Sequence, residues 1–288
     1  MIPRPFEYHA PESLPDAIAL LNQYGDEAKL LAGGHSMLPM MKLRFAEPAH
    51  LIDLGKIPGL KGIREVDGEI RIGAMTTEND LIWSELLQQK CPLLVEGARL
   101  ISDPQVRYLG TIGGDISHGD PANDHPALML VLGASFVLES TGGERVVPAD
   151  DYFLGTYYTS LEAGEIMTEI RIPTPAIGTG YCYAKLKRKT GDFATAASAV
   201  MLRMSGAIVH DVAIALTNVG QTALKAREAE VFLRGKMLND QSISEAARLA
   251  MSICEPSADL RGDVEYKTAM AGEMTQRALR TAYSRSAT

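Results

Sequence analysis

Apolar positions change spacing along the chain, and each change marks an element. Leu14, Ala17, Ile18 and Leu21 recur at helical intervals. Ser13 stands where an N-cap belongs, Pro15 is tolerated in a first turn, and Gly25 closes the segment. Short apolar runs over residues 6–9, 28–31 and 51–54 read as strands around that helix, so residues 1–55 predict a small βαβ-type lobe. Residues 63–66 and 69–73 flank Asp67-Gly68, a strong two-residue hairpin turn. Thr76-Thr77-Glu78-Asn79-Asp80 then caps one helix carrying Leu81, Ile82, Leu86 and Leu87, and an apolar helix over residues 92–101 follows. Residues 116–124, rich in glycine, proline and aspartate, read as a loop before a helix over 125–132. Strands over 135–140 and 145–148 pair around Thr141-Gly142-Gly143, and another strand covers 165–172.

Pro173, Pro175, Gly178 and Gly180 mark the clearest boundary. Beyond it, residues 181–188, 197–204 and 212–218 predict an antiparallel sheet, and three helical patterns over 225–233, 242–254 and 264–284 close the chain. The expected division is therefore 1–55, 56–176 and 177–288, in an α+β fold with neither repeats nor low-complexity segments.

The chemistry gathers at two glycine pairs. Leu30-Leu31 runs into Ala32-Gly33-Gly34-His35-Ser36, then into a helical segment over residues 37–43. Paired glycines let a backbone turn tightly, and successive N–H groups in such a turn form a concave nest for an anion, aided by the helix start beyond. Ser36 suits either capping or donation to that anion. Thr111-Ile112-Gly113-Gly114-Asp115 repeats the device after Tyr108-Leu109. Two nests suit a ligand with two linked phosphates. Neither has the G-x-G-x-x-G spacing of a dinucleotide fold, and no phosphate loop of the G-x-x-x-x-G-K-[ST] type is present.

Composition narrows the classes. A net charge of −8 argues against a nucleic-acid surface or a polybasic membrane anchor, and no apolar run is long enough to span a bilayer. The N-terminal residues lack the charged and apolar regions of a signal peptide. Cys91, Cys182 and Cys254 are odd in number and far apart, the pattern of reduced thiols in a cytoplasmic protein, and without C-x-x-C the chain is not expected to hold a cluster or metal itself. His118, Asp120, Asp124 and His125 are all potential ligands, but their spacing matches no zinc geometry and reads as a polar loop. His35 is expected to donate to a ligand or pack; His9, His50 and His210 read as structural. No nucleophile is evident. Lys185-Leu186-Lys187-Arg188-Lys189 fits either a solvated strand edge or a set of charges near a ligand.

These residues carry a family resemblance. The two glycine turns, with Lys185-Leu186-Lys187-Arg188-Lys189-Thr190-Gly191-Asp192-Phe193-Ala194, resemble the FAD subunit of molybdenum hydroxylases of the xanthine dehydrogenase family, and the resemblance spans essentially the whole chain. It implies a two-lobed FAD-binding domain of the vanillyl-alcohol-oxidase-like (PCMH) type, followed by a domain of antiparallel sheet plus helices. It also implies that Ala32, Gly33, Gly34, His35 and Ser36, with Thr111, Ile112, Gly113, Gly114 and Asp115, hold the pyrophosphate. Ile101 and Leu109 would wall the adenine side or the ring, Asp124 would bind a polar part of the cofactor, and Leu161 and Lys185 would lie near the flavin ring. Phe193 stands where the family often has a tyrosine packed on the ring; stacking survives that change, a phenol role does not. The resemblance implies no catalytic residue in this chain. It implies partners: a large molybdenum-containing subunit and a small subunit with [2Fe–2S] clusters, in a dimer of heterotrimers. Electrons would come from those clusters and leave to an external acceptor, expected to be a quinone. The alternatives are a related hydroxylase acting on xanthine, an N-heterocycle or an aldehyde; a standalone flavin oxidoreductase; a non-catalytic nucleotide-binding module; and, more weakly, a uridine-sugar reductase.

Overall fold

Strand pairing sorts residues 2–286, which the computed structural model describes, into three main sheets and a small two-stranded one. The first sheet holds β1 (Glu7–His9), β2 (Ala28–Leu31) and β3 (His50–Asp53) in the parallel order β1-β3-β2. Helix α1 (Leu14–Tyr24) crosses between β1 and β2, and Ser13 caps it by accepting from the Asp16 N–H. Its Ala17 and Ile18 bury against Ala28, Ile52 and Leu54, which fixes the lobe carrying α2 (Met37–Leu43).

The second sheet is antiparallel and surrounds a strand that arrives late. Hairpin β4 (Ile63–Val66) and β5 (Glu69–Gly73) turns at Asp67 and Gly68, whose φ values of 52° and 80° are what a type I′ turn requires. Strands β6 (Ser135–Ser140) and β7 (Gly143–Pro148) form the other hairpin, and β10 (Ile166–Pro173) lies between β5 and β6. Between the hairpins run α3 (Glu78–Trp83), α4 (Glu85–Lys90), α5 (Pro92–Leu100), α6 (Pro104–Leu109), α7 (Ile112–His118) and α8 (His125–Leu132). The chain then adds α9 (Ala149–Tyr152) and the two-stranded sheet of β8 (Phe153–Gly155) and β9 (Tyr158–Thr159).

The third sheet, β11 (Gly180–Leu186), β12 (Ala196–Ser205), β13 (Ile208–Thr217) and β14 (Leu224–Lys225), is antiparallel. Side chains alternate between its faces. Ala197, Ala199 and Ala215 face the core of the second lobe, and their small size lets α8, buried along its whole length, pack onto β12 and β13. Ala196, Val200, Leu202, Ile214 and Leu216 face the other way, toward α10 (Arg227–Leu233), α11 (Asp240–Met251) and α12 (Val264–Ser286).

Several expectations need correction. The helix foreseen after Thr76 is two helices: Ser84 adopts an extended ψ of 113° and its side chain caps the second by accepting from the Leu87 N–H. Residues 116–124 are not all loop, because α7 continues to His118 and Gly119 ends it in the left-handed region. Helix α6 was not foreseen, although Asp103 and Pro104 are N-cap and N1 signals. Ser36 does not cap α2 through its side chain.

Candidate functional site

The two glycine turns meet, and each glycine is there for a different reason. A Cβ on Gly33 would sit 2.0 Å from the Leu109 carbonyl oxygen and 2.7 Å from Gly110 Cα, so the first turn rests directly on the backbone before the second. Gly34 has φ +76°, which turns the chain back into α2. Gly113 is pressed against Ala74, where a Cβ would lie 2.5 Å from the alanine Cβ.

The turns differ in what they offer. In the first, the N–H groups of Gly33, Gly34, His35, Ser36 and Met37 make no hydrogen bond to any other described residue, which leaves a run of donors for an anion. In the second, Ile112 N–H donates to Thr76 O, Gly113 N–H to Ala74 O, Gly114 N–H to Thr111 Oγ1 and Asp115 N–H to Thr111 O. The second turn is therefore a pinned helix start, not a second nest. What it presents is the Asp115 side chain, whose Oδ1 is buried without a partner.

Both turns open into a cavity of about 610 Å³, within the range that buries a small molecule. All three sheet units contribute to its wall. Ala32, Gly33, Gly34, His35 and Ser36 line it from the first; Ile101, Thr111, Gly113, Gly114, Asp115, Asp124 and Leu161 from the second; and Lys185 and Phe193 from the third. Two anticipated residues lie outside the lining. The Leu109 side chain is exposed and only its carbonyl meets the first turn, while Ile112 is fully buried in the core.

Behind the wall the charges are paired. Lys185 Nζ donates to Asp124 Oδ2 at 2.6 Å and to Leu100 O at 3.2 Å. Tyr183, two residues earlier on the same face of β11, donates to Asp124 Oδ1 at 2.5 Å; burial, then the Asp124 carboxylate, holds its hydroxyl well above the usual phenol range. The His125 Nε2 lies 2.9 and 2.8 Å from the two Glu78 oxygens, and both side chains are buried. Burial alone would lower the imidazole, but Glu78 overrides it and raises the group to about 9. Asp115 has no such pairing. Its burial, added to by Glu78, Asp124 and Asp120 and opposed by His125, lifts the carboxyl to about 8, and in its protonated form it can donate a hydrogen bond.

Glu78 and Tyr183 were not anticipated as part of the site. Glu78 was legible only as a first-turn acid, and Tyr183 only through its period-two relation to Lys185. Nor were Asp192 and its partners. Arg261 Nη2 lies 2.8 Å from Asp192 Oδ1 and Arg188 Nε 2.8 Å from Oδ2, which pull that carboxyl down to about 2. The Arg261 guanidinium also covers the half-exposed Phe193 ring, 5.6 Å from its centroid. The candidate ligands His118 and His125 diverge: His118 turns toward the Tyr157 ring, His125 toward Glu78.

An adenine dinucleotide with a flavin end fits this arrangement. The five free N–H groups would hold its pyrophosphate, a neutral Asp115 would donate to a polar oxygen without repelling the phosphates, and Leu161 and Phe193 supply apolar walls for a ring.

Residues 4–175 match the family described as FAD binding domain in molybdopterin dehydrogenase, and residues 181–282 match the CO dehydrogenase flavoprotein C-terminal domain. The chain is 60% identical to the carbon monoxide dehydrogenase medium chain of Hydrogenophaga pseudoflava, over all of both chains. It is 51% identical to the medium chain of the same name from Afipia carboxidovorans, over 99% of each. A solved carbon monoxide dehydrogenase from Hydrogenophaga pseudoflava, which lacks the Mo-pyranopterin moiety of the molybdenum cofactor, superposes with a TM-score of 0.98 at 61% identity, covering 99% of each chain.

Proposed function

Because the chain belongs to the FAD-binding family of molybdopterin dehydrogenases, we propose that it is the flavin-binding medium chain of a carbon monoxide dehydrogenase, in which CO and water become CO2. The observation that carries the proposal is that every anticipated residue except Leu109 and Ile112 converges on one cavity, with five unpaired N–H groups at one end. FAD bound there supplies two-electron storage between one-electron donors and an external acceptor, proposed to be a quinone. The chain's own part is to bind and orient. Gly33 to Met37 hold the phosphates, Asp115 donates a hydrogen bond, and Phe193 under Arg261 covers one side of the cavity. Lys185, fixed by Asp124 and Leu100 O, braces the wall from behind as half of a buried ion pair.

The substrate would be oxidised on a large molybdenum-containing subunit, and a small subunit with [2Fe–2S] clusters would relay electrons to this chain, in a dimer of heterotrimers. The residue divisions 1–55, 56–176 and 177–288 are proposed as the two FAD-binding lobes and the flavoprotein C-terminal domain. Three unpaired cysteines support a cytoplasmic setting, and no helix among the described residues is long and apolar enough to cross a membrane.

Native purification, acid release of the flavin and CO-dependent dye reduction test the proposal. FAD together with a molybdenum chain, an iron–sulfur chain and reduction by CO is the expected result. The same complex reduced by an N-heterocycle or an aldehyde but not by CO overturns the substrate. A complex without flavin overturns the site.

A further inference from the structure

Away from the cavity, two ring nitrogens and a carboxylate converge on the outer part of the first lobe. His9 Nε2 lies 3.1 Å from His50 Nδ1, and Glu7 Oε2 lies 3.6 Å from the same His50 nitrogen. Ligand atoms from all three side chains fall within 4.8 Å of one another. The β ladder sets this up. Glu7 and His9 point to one face of β1 by their two-residue spacing, and Glu7 is the register partner of His50 on β3.

The rings are also held in place. Tyr24, the last residue of α1, stacks on His50 with centroids 3.7 Å apart and planes 12° apart, and on His9 at 5.2 Å and 29°. Three elements thus fix two imidazoles with nitrogens facing each other. Such a pair either shares one proton as an N–H···N hydrogen bond or shares a metal ion. Glu7 favours the second, since a carboxylate beside the pair is a third ligand. A tetrahedral ion bound at about 2.0–2.2 Å places neighbouring ligand atoms about 3.3–3.6 Å apart, close to the two separations seen.

We propose that Glu7, His9 and His50 form a binding site for a divalent transition-metal ion, and that the ion is zinc, with water in the fourth position. Two imidazoles and one carboxylate suit a borderline ion and not calcium or magnesium, which prefer all-oxygen sets. The Glu7 side chain is 73% exposed, so the fourth position faces solvent. The ion would tie the three-residue strand β1 to β3, and so steady the sheet from whose β2 the phosphate-holding turn departs.

The test uses the full chain after chelator treatment. Zinc is measured by equilibrium dialysis with metal analysis, and cobalt serves as the spectroscopic probe, read as a difference spectrum against the metal-free protein. One zinc per chain is expected, with tetrahedral cobalt bands that zinc displaces. Glu7→Gln changes an exposed group and leaves the ring stack intact; it should weaken binding at least tenfold. His9→Gln should abolish the cobalt bands, and zinc should raise the thermal midpoint of the wild type but of neither variant. No stoichiometric zinc, or equal binding by the wild type and Glu7→Gln with His9→Gln also unchanged, overturns the site and leaves a plain histidine–histidine hydrogen bond.

Discussion

Replacing Glu78 by glutamine removes the only anionic partner hydrogen-bonded to His125 among the described residues while keeping the volume of the side chain. In the native chain the imidazole is fully buried and held at about 9, against an ordinary value of 6.5. At about 1.4 kcal/mol per pH unit, that difference corresponds to about 3 kcal/mol of stability tied to the bound proton. The sign follows from the direction of the shift. A raised imidazole contributes fully below the unfolded value of about 6.5, and its contribution is lost as pH rises through 9. With a neutral partner, burial favours the uncharged imidazole and only the more weakly acting Asp115 and Asp124 still oppose it, so Glu78→Gln should show a much smaller slope. Urea unfolding of the full chain, followed by circular dichroism between pH 6 and 10, measures it. The variant should be less stable by about 3 kcal/mol at pH 6, with the gap closing toward pH 10. The Asp115 carboxyl, held at about 8 in part by Glu78, titrates in the same window, so the comparison is made in an Asp115→Asn background shared by both proteins. A stability difference independent of pH between 6 and 10 would refute the charged Glu78–His125 pair.

Gly33→Ala should strip flavin and lower the thermal midpoint, because its Cβ would fall 2.0 Å from a backbone oxygen that cannot move without shifting α6; the flavin-to-protein ratio reads it directly. Gly133→Ala is the control: its φ of +60° costs about 1 kcal/mol, nothing lies within 4 Å, and flavin should be retained. Lys185→Met should leave the Asp124 carboxylate buried with only Tyr183 beside it and destabilise the chain by about 3–5 kcal/mol, seen as a lower urea midpoint. Asp192→Asn should release Arg188 and Arg261 and speed tryptic cleavage at Lys187, Arg188 and Lys189. Because Asp192 is depressed to about 2, the native loop should keep its protection at neutral pH and lose it only as pH falls from about 4 through 2, read with an acid-active protease.

Local signals carried much of the fold. The spans of β2, α2 and α8 follow from apolar runs bounded by Gly25, the glycine pair, Asp124 and Gly133, and Asp67-Gly68 set its hairpin through φ alone. Misreadings arose where polar residues cap rather than loop: Asp103 starts α6, Thr111 starts α7 and Ser84 divides α3 from α4. The site was legible as residue types but not as partnerships. Which N–H groups stay free depends on Ala74 and Thr76, which lie more than thirty residues from the second turn along the chain, and no spacing shows that. The Glu78–His125 pair, 47 residues apart, is invisible for the same reason. His9 and His50 read as structural because their nearness depends on strand register, which only the folded sheet reveals.

The position of β10 dictates when the cofactor can be taken up. It occupies the centre of the second sheet, between β5, made about a hundred residues before it, and β6, made about thirty residues before it, and its Ile166 also completes the core under the first lobe. During synthesis, at about 5–20 residues per second, neither lobe can close until the ribosome has delivered that strand. Lys185 and Phe193 emerge later still, and β11, which carries Lys185, is packed beneath α12 at the far end of the chain. A nascent chain therefore has no complete seat for a flavin. Loading waits until β11 and Phe193 have been delivered and packed, and limiting flavin would leave finished empty chains instead of stalled fragments.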